Sequence, residues 1–414
     1  MLIELIIGIC LSVSIFFVIE IIIQKNVHSV RKNFPWLIIS KDKIPILSES
    51  GLKKFIPHGF DTELGWVRKP HTSNQENGKN GITSWSIDEN GARTNPSFQN
   101  LQSTISCYGD SFTFSRQVNN DETWTHYLSK LTNSNVLNFG VGNYGLDQSF
   151  LRLKREFPKN KTKLVIIAVV PETICRILSI WKHYYEYGNT FAFKPKFIIE
   201  NNQLKKIENP INTESKFLHY KKYIDLIQKN DYFYKNKFLK EKISFPYCFT
   251  ILKNYKRNLG IISWQKKIDY RKKQGISFSD IEWNPMSIIM DINMSWKIKL
   301  FKDASACKLL KMILQEYVNF SEKMNFKPIF TFLPQKDDLD FIKNHYHFFK
   351  NFHQELKSID GLVVIDIIDE LLSETKINDL YSDENDYGGH FSNNGNKVVS
   401  KILFDKLKNL KLEI

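Results

Sequence analysis

The sequence predicts an α/β fold built on a parallel sheet covered by helices on both faces. Three observations predict it. Short runs rich in β-branched residues recur at 105–108, 136–139, 164–170, 329–333 and 362–368. Segments of helical period lie between them. Glycine-containing loops with polar, chemistry-bearing residues follow the runs. Short apolar strands alternating with amphipathic helices bury both faces of a parallel sheet.

Taken in order, the chain opens with residues 2–23, LIELIIGICLSVSIFFVIEIII, in which only Glu4 and Glu20 are charged. At 1.5 Å per residue, about 20 such residues cross a hydrocarbon core of about 30 Å. The segment has no basic leader and no small-x-small site, so it reads as an uncleaved transmembrane helix rather than a signal peptide. Lys25, Arg31 and Lys32 follow it and favour a cytoplasmic body by the positive-inside rule. Residues 24–50 read as a juxtamembrane linker. Residues 51–100 are turn-rich and polar and read as a small β-rich extension. Residues 101–414 read as the main domain.

Within that domain Trp124, Tyr127, Leu128 and Leu131 recur at i, i+3, i+4 and i+7, an apolar helix face with Asn120 or Asp121 as N-cap. Further helices are expected at about 304–324 and 396–407. The stretch from about 192 to 298 breaks the alternation and reads as an insertion between the third and fourth strands. It opens with a hairpin-like piece and continues as lysine- and aromatic-rich helical text.

Composition excludes several classes. With 42% hydrophobic and 25% charged residues, the 414-residue chain has a full-sized core. Its five cysteines are far apart and form no CxxC pair, which argues against a disulfide framework and a thiolate zinc site. No cofactor is implied. The net charge of +14 is concentrated at 205–273, which holds 18 basic and 6 acidic residues. No nucleic-acid motif accompanies that stretch, so nucleic acid is not an expected partner.

Three pieces carry chemistry. The first run ends in Gly109-Asp110-Ser111-Phe112-Thr113, a serine on a tight turn where α/β sheets place ligands and helix N-termini supply N–H donors. After the second run comes Asn138-Phe139-Gly140-Val141-Gly142-Asn143-Tyr144-Gly145, whose glycines let backbone N–H groups approach a substrate. Near the C-terminus, Asp383, Asp386 and His390 lie in a glycine-loosened loop before the last helix. There a histidine is able to reach Ser111 and a carboxylate to fix its tautomer.

These three pieces, GDSFT, NFGVGNYGLDQ and GGHFSNNG, resemble the first, second and fifth blocks of the SGNH/GDSL hydrolases. The resemblance spans roughly 101–190 and 304–410, and SIDENGAR (86–93) resembles an extension of membrane-anchored bacterial members. It implies a flavodoxin-like three-layer α/β/α sandwich with a five-stranded sheet, and ester hydrolysis or acyl transfer. Ser111 would be the nucleophile, His390 the general base and acid, and Asp386 the orienting carboxylate. The oxyanion hole would use N–H groups of Ser111 and of Gly142 or Asn143. The family's acid stands three residues before the histidine, where this chain has Tyr387. Asp386 is one residue further back, and Asp383 is four further. The third block's usual asparagine is missing: after the third run the chain reads Pro171-Glu172-Thr173, so Glu172 must point away from the oxyanion or be neutralised, with Arg176 one turn on.

The expectation is a membrane-anchored serine esterase or O-acyltransferase acting on an acylated glycan or another cell-envelope ester, with the insertion as the substrate-facing wall. Such a substrate calls for an extracytoplasmic body, against the flanking charges. Two other readings stand beside it: a lipid esterase or thioesterase at the membrane surface, and a non-catalytic scaffold binding a glycan or envelope-assembly proteins.

Overall fold

The apolar runs pair as one parallel sheet. The computed structural model describes residues 1–34, 37–275, 286–374, 376–383 and 388–410. Two antiparallel ribbons come first, β1 (Phe60–Asp61) with β2 (Gly65–Trp66) and β3 (Ser73–Gly78) with β4 (Gly81–Ser86). The main sheet is built from β5 (Ser103–Gly109), β6 (Asn135–Asn138) and β7 (Leu164–Val169). It is completed by β10 (Lys327–Phe332) and β11 (Val363–Ile365), while β8 (Lys196–Glu200) and β9 (Gln203–Ile207) form a hairpin between β7 and β10. Its spatial order is β11-β10-β7-β5-β6, every pairing parallel.

That is the flavodoxin-like order 2-1-3-4-5, with its switch point between β5 and β7. All six residues of the central β7 are buried, as its unbroken apolar run requires. The helix Ala304–Met324 covers the sheet, and Tyr317 fastens it there by donating its hydroxyl to the Val165 carbonyl at 2.8 Å.

The sequence reading needs three adjustments. The helix Trp124–Thr132 is capped by Thr123, whose hydroxyl accepts from the His126 N–H at 3.0 Å, and not by Asn120 or Asp121. Those two residues are used in a 3-10 turn, and the Asn120 side chain accepts from Arg93 Nε at 3.0 Å. Leu131 is exposed because the helix ends one residue later at Thr132, with Asn133 in the left-handed conformation. In the stretch read as β-rich, Glu49–His58 is a helix, capped by the Ser48 hydroxyl accepting from the Gly51 N–H at 3.1 Å.

At the N-terminus, Leu2–Asn33 forms one helix of 32 residues. Among the described residues it is the one helix long and apolar enough to cross a membrane, with a mean hydropathy of 2.8. It does not stop where the apolar run stops. Residues 24–33, in the stretch read as a linker, continue it, because Val27 and Val30 pack with Phe34, Ile243, Ile261 and Trp264. Arg31 then pairs with Asp42, one of the two bonds being 2.6 Å.

Gly140 allows the loop after β6 to lie on the helix that follows β5: a Cβ there would stand 2.2 Å from the Phe114 backbone nitrogen. Gly140→Ala is therefore expected to destabilise the protein by about 1–3 kcal/mol or more. At Gly142 the nearest atom to such a Cβ is 3.9 Å away. Paired thermal melts of the full chain check this: Gly140→Ala lowers Tm and Gly142→Ala does not.

Candidate active site

Ser111 sits at the carboxyl end of β5, at the switch point. Gly109 is needed just before it, since a Cβ would stand 1.9 Å from the Ala168 carbonyl of β7. Asp110 caps the short helix Ser111–Phe114, accepting from the Phe112 N–H at 2.8 Å. Its second oxygen accepts from the Val170 N–H at 2.8 Å and from Arg176 at 3.3 Å. Burial raises the Asp110 carboxyl above its ordinary value, while Arg176 and the two N–H donors pull it back. The serine itself is only 8% exposed and faces the next loop.

That loop is held from beneath. Asn138 donates to the Thr113 carbonyl at 2.7 Å and accepts from the Gly140 N–H at 3.0 Å. Gly142 stands next to the serine, a Cβ there lying 3.9 Å from Ser111 Cβ. Asn143 takes a left-handed φ of 68°. Among the described residues neither the Gly142 nor the Asn143 N–H has a protein acceptor. The Ser111 N–H is one of the orphan donors that open a helix. Trp66 Nε1 donates to the Gly142 carbonyl at 2.9 Å, which fixes the loop from the extension side.

Glu172 is buried and turned into a polar cluster. One oxygen accepts from Arg176 Nη2 at 2.6 Å; the other accepts from the Tyr185 hydroxyl at 2.6 Å and Asn293 Nδ2 at 2.9 Å. Burial alone would raise its carboxyl, but Arg176, Lys182 and Lys297 outweigh that and hold it below the usual carboxylate range. Arg176 also donates to the Tyr144 carbonyl at 3.0 Å, so one guanidinium joins Glu172, Asp110 and the 141–145 loop. The repulsion expected from a carboxylate in place of the missing asparagine is removed by this pairing.

His390 arrives from the loop before the helix Asn393–Asn409 and packs on the neighbour of Ser111, its ring centroid 4.9 Å from that of Phe112. No hydrogen bond joins its ring to Ser111 Oγ among the described residues. Its partner is Gln117: Oε1 accepts from the His390 backbone N–H at 2.9 Å and lies 2.9 Å from Nδ1. Because a backbone N–H only donates, the Gln117 atom there is the oxygen. Nδ1 therefore carries the ring proton, an assignment made from the network, and Nε2 is left as the free base. Burial drives the His390 pKa well below its ordinary value, with Arg116, Arg176 and Arg68 adding to the effect.

Asp386, the predicted orienting carboxylate, lies outside the described residues. Asp383 donates its N–H to the Gly388 carbonyl at 2.9 Å and holds its carboxylate close to Gly389.

Two residues with positional roles were not visible as motifs. Gln117 looks like any loop glutamine in sequence. Arg93, the last residue of SIDENGAR, is buried and donates to the carbonyls of Phe114, Ser115 and Val118 at 2.7, 2.6 and 2.6 Å, fixing the turn that presents Gln117.

Beside Gly142 opens a cavity of about 870 Å³. Its wall is the extension, with Phe55, Trp66, Arg68, His71 and Trp85 facing Arg116, Gly142 and Asn143. No described residue of the insertion at about 192–298, the expected substrate-facing wall, lines this cavity. Phe217, Ile224, Phe233 and Phe238 of that insertion join the main core, and Ile243, Ile261 and Trp264 pack against the N-terminal helix.

No family model matches the chain, and the search of curated proteins returns no match. Among solved structures, it is similar to a Desulfitobacterium hafniense DCB-2 protein assigned to the G-D-S-L lipolytic family, at 12% identity and TM-score 0.34, over 73% of this chain and 98% of that one. It is also similar to the lipase/acylhydrolase from Enterococcus faecalis, at 10% identity and TM-score 0.35, over 75% and 97%. A third is the acetyl xylan esterase AlAXEase, at 10% identity and TM-score 0.34, over 73% and 99%. At such TM-scores these likenesses carry no argument. The strand order and the positions of the three sequence blocks on it make the fold SGNH/GDSL-like.

The His390 ring is expected to be neutral, in the Nδ1–H tautomer, at pH 6.5. Gln117→Glu places a carboxylate against Nδ1–H, favours the imidazolium and moves the titration to higher pH. Nitrogen-15 NMR of the labelled ring reads both; a wild-type ring already protonated at pH 6.5 would contradict the assignment.

Proposed function

We propose that the chain is a membrane-anchored ester hydrolase or acyltransferase of SGNH type, acting on ester-linked acyl groups of a glycan or another envelope substrate. The observation that carries this reading is the convergence at the switch point. A buried serine opens a helix, free N–H groups stand beside it at Gly142 and Asn143, and a neutral histidine with an available Nε2 packs on the next residue.

In this reading Ser111 Oγ attacks the ester carbonyl while His390 Nε2 takes its proton. The N–H groups of Ser111, Gly142 and Asn143 receive the oxyanion. Collapse breaks the ester C–O bond, the leaving alcohol takes the proton from His390, and a covalent acyl-serine remains. Water or a sugar hydroxyl, deprotonated by His390, then resolves it. Gln117 holds the Nδ1 proton, and Asp386 is the proposed carboxylate that stabilises the imidazolium formed in each step. Arg176 and Arg93 act as positioning residues. The loss of one oxyanion donor typically costs about 2.7–4 kcal/mol of transition-state stabilisation, so with no asparagine in the third block turnover is expected to be slow.

The helix Leu2–Asn33 is the proposed anchor. Its one charge inside the apolar run away from the terminus, Glu20, is provided for by the chain itself, accepting from the backbone N–H groups of Tyr247 and of Cys248, the latter at 2.9 Å. Phe245 lies against Phe16 and Phe17 with both ring centroids at 6.3 Å. Phe249 and Leu252 nearby are about two-thirds exposed, at 65% and 66%, as suits contact with lipid. On this reading the basic 205–273 stretch is a membrane-facing element rather than a substrate wall.

The full chain in detergent is expected to react with a serine-directed fluorophosphonate at Ser111, located by mass spectrometry. Ser111→Ala abolishes the adduct, and His390→Ala slows its formation by about 10³-fold or more. A folded wild-type protein that takes no label sinks the esterase mechanism. The anchor has its own check: the full chain should float with phospholipid vesicles and resist alkaline extraction, and release by alkali would remove it.

A further inference from the structure

Three cationic side chains, Arg68, Arg116 and Lys54, line the cavity beside Gly142, and no aspartate or glutamate is among its described lining residues. Arg116 has a counter-ion, Glu76, which accepts from its Nε at 2.8 Å and also takes the Gln117 N–H at 2.9 Å. Arg68 has none. Its guanidinium packs in the corner of two perpendicular rings, 3.9 Å from the Trp85 centroid and 4.0 Å from that of Phe114. Among the described residues no carboxylate pairs with it and no acceptor takes a hydrogen bond from it, and its Nε is buried without a partner.

Holding such a group has a cost. Burial, with Arg116 and Arg152 adding their charges and Glu76 opposing them, pulls the Arg68 pKa down to about 9, so it is still charged at neutral pH. A buried polar group without an acceptor is rare in a folded protein and asks for a ligand or water to complete it. A guanidinium packed against two aromatic rings is held in place and keeps N–H donors for a carboxylate or phosphate. A cleft lined by one sign of charge also concentrates ions of the other sign.

We infer that this cavity binds an anionic group of the substrate, a carboxylate or phosphate held by Arg68 with Arg116 beside it, and so selects negatively charged acylated molecules over neutral ones. This rests on the proposed function above and narrows its substrate class. The anion sits on the extension side of Gly142, and the ester reaches Ser111 across Gly142.

Isothermal titration of the full chain in detergent, at low ionic strength, tests it with three probes: inorganic phosphate, glucuronate and glucose. Phosphate or glucuronate is expected to bind and glucose not, and the tighter of the two anions identifies the group recognised. Arg68→Gln weakens that binding at least 10-fold, Arg68→Lys restores part of it, and Lys205→Gln, which removes an equal charge from the exposed β9 strand, leaves it unchanged. Equal binding of glucose and the anions overturns the inference, as does an equal loss in Lys205→Gln and Arg68→Gln. The result is separable from the esterase reading. Anion binding in a chain whose Ser111 takes no fluorophosphonate keeps the site and removes the chemistry, whereas labelling without anion binding does the reverse.

Discussion

The structure around Ser111 depends on one buried carboxylate. Asp110 accepts the Phe112 N–H that starts the helix after β5 and the Val170 N–H that ends β7, and so ties the two strands at the switch point together. Its third contact, Arg176, extends the tie to the Tyr144 carbonyl and to Glu172. Breaking a buried ion pair leaves the remaining charge uncompensated, a loss of about 3–5 kcal/mol. The turn that presents the serine is thus set by a buried network of charges and backbone groups that hold one another in place.

Around this centre the chain has assigned its polar residues by distance from the reaction. Glu172 is neutralised by Arg176, Tyr185 and Asn293, which lets a carboxylate stand where an oxyanion donor would otherwise be expected. Arg93 occupies three carbonyls and keeps 114–118 in a shape that few loops would hold alone, with Ser115 and Gln117 both at positive φ. Arg68 is the exception, a charge packed on aromatic neighbours with no carboxylate in contact, in the lining of the cavity beside Gly142.

The sheet was legible because each strand is a local apolar run, and a central strand buried on both faces needs no partner knowledge to be recognised. Ser111, Gly142 and His390 were legible for a similar reason: each sits in a short motif at a strand end or before a helix. What was not legible depends on contacts between distant positions. Gln117 meets His390 across 273 residues, and Asn293 meets Glu172 across 121. The continuation of the N-terminal helix beyond its apolar run follows from packing on Trp264 and Ile243, which no local pattern announces. The lining of the cavity beside Gly142 was not legible for the same reason, since it comes from the extension, which only the tertiary fold brings to that loop.

The most direct measurement is the structure of the full chain with a phosphonate adduct. The account predicts a covalent bond from Ser111 Oγ, the phosphoryl oxygen within hydrogen-bond reach of the N–H groups of Ser111 and of Gly142 or Asn143, and His390 Nε2 on the serine oxygen with Gln117 still on Nδ1. An adduct on another residue, or a phosphoryl oxygen turned towards Glu172 with Gly142 and Asn143 unengaged, would contradict it.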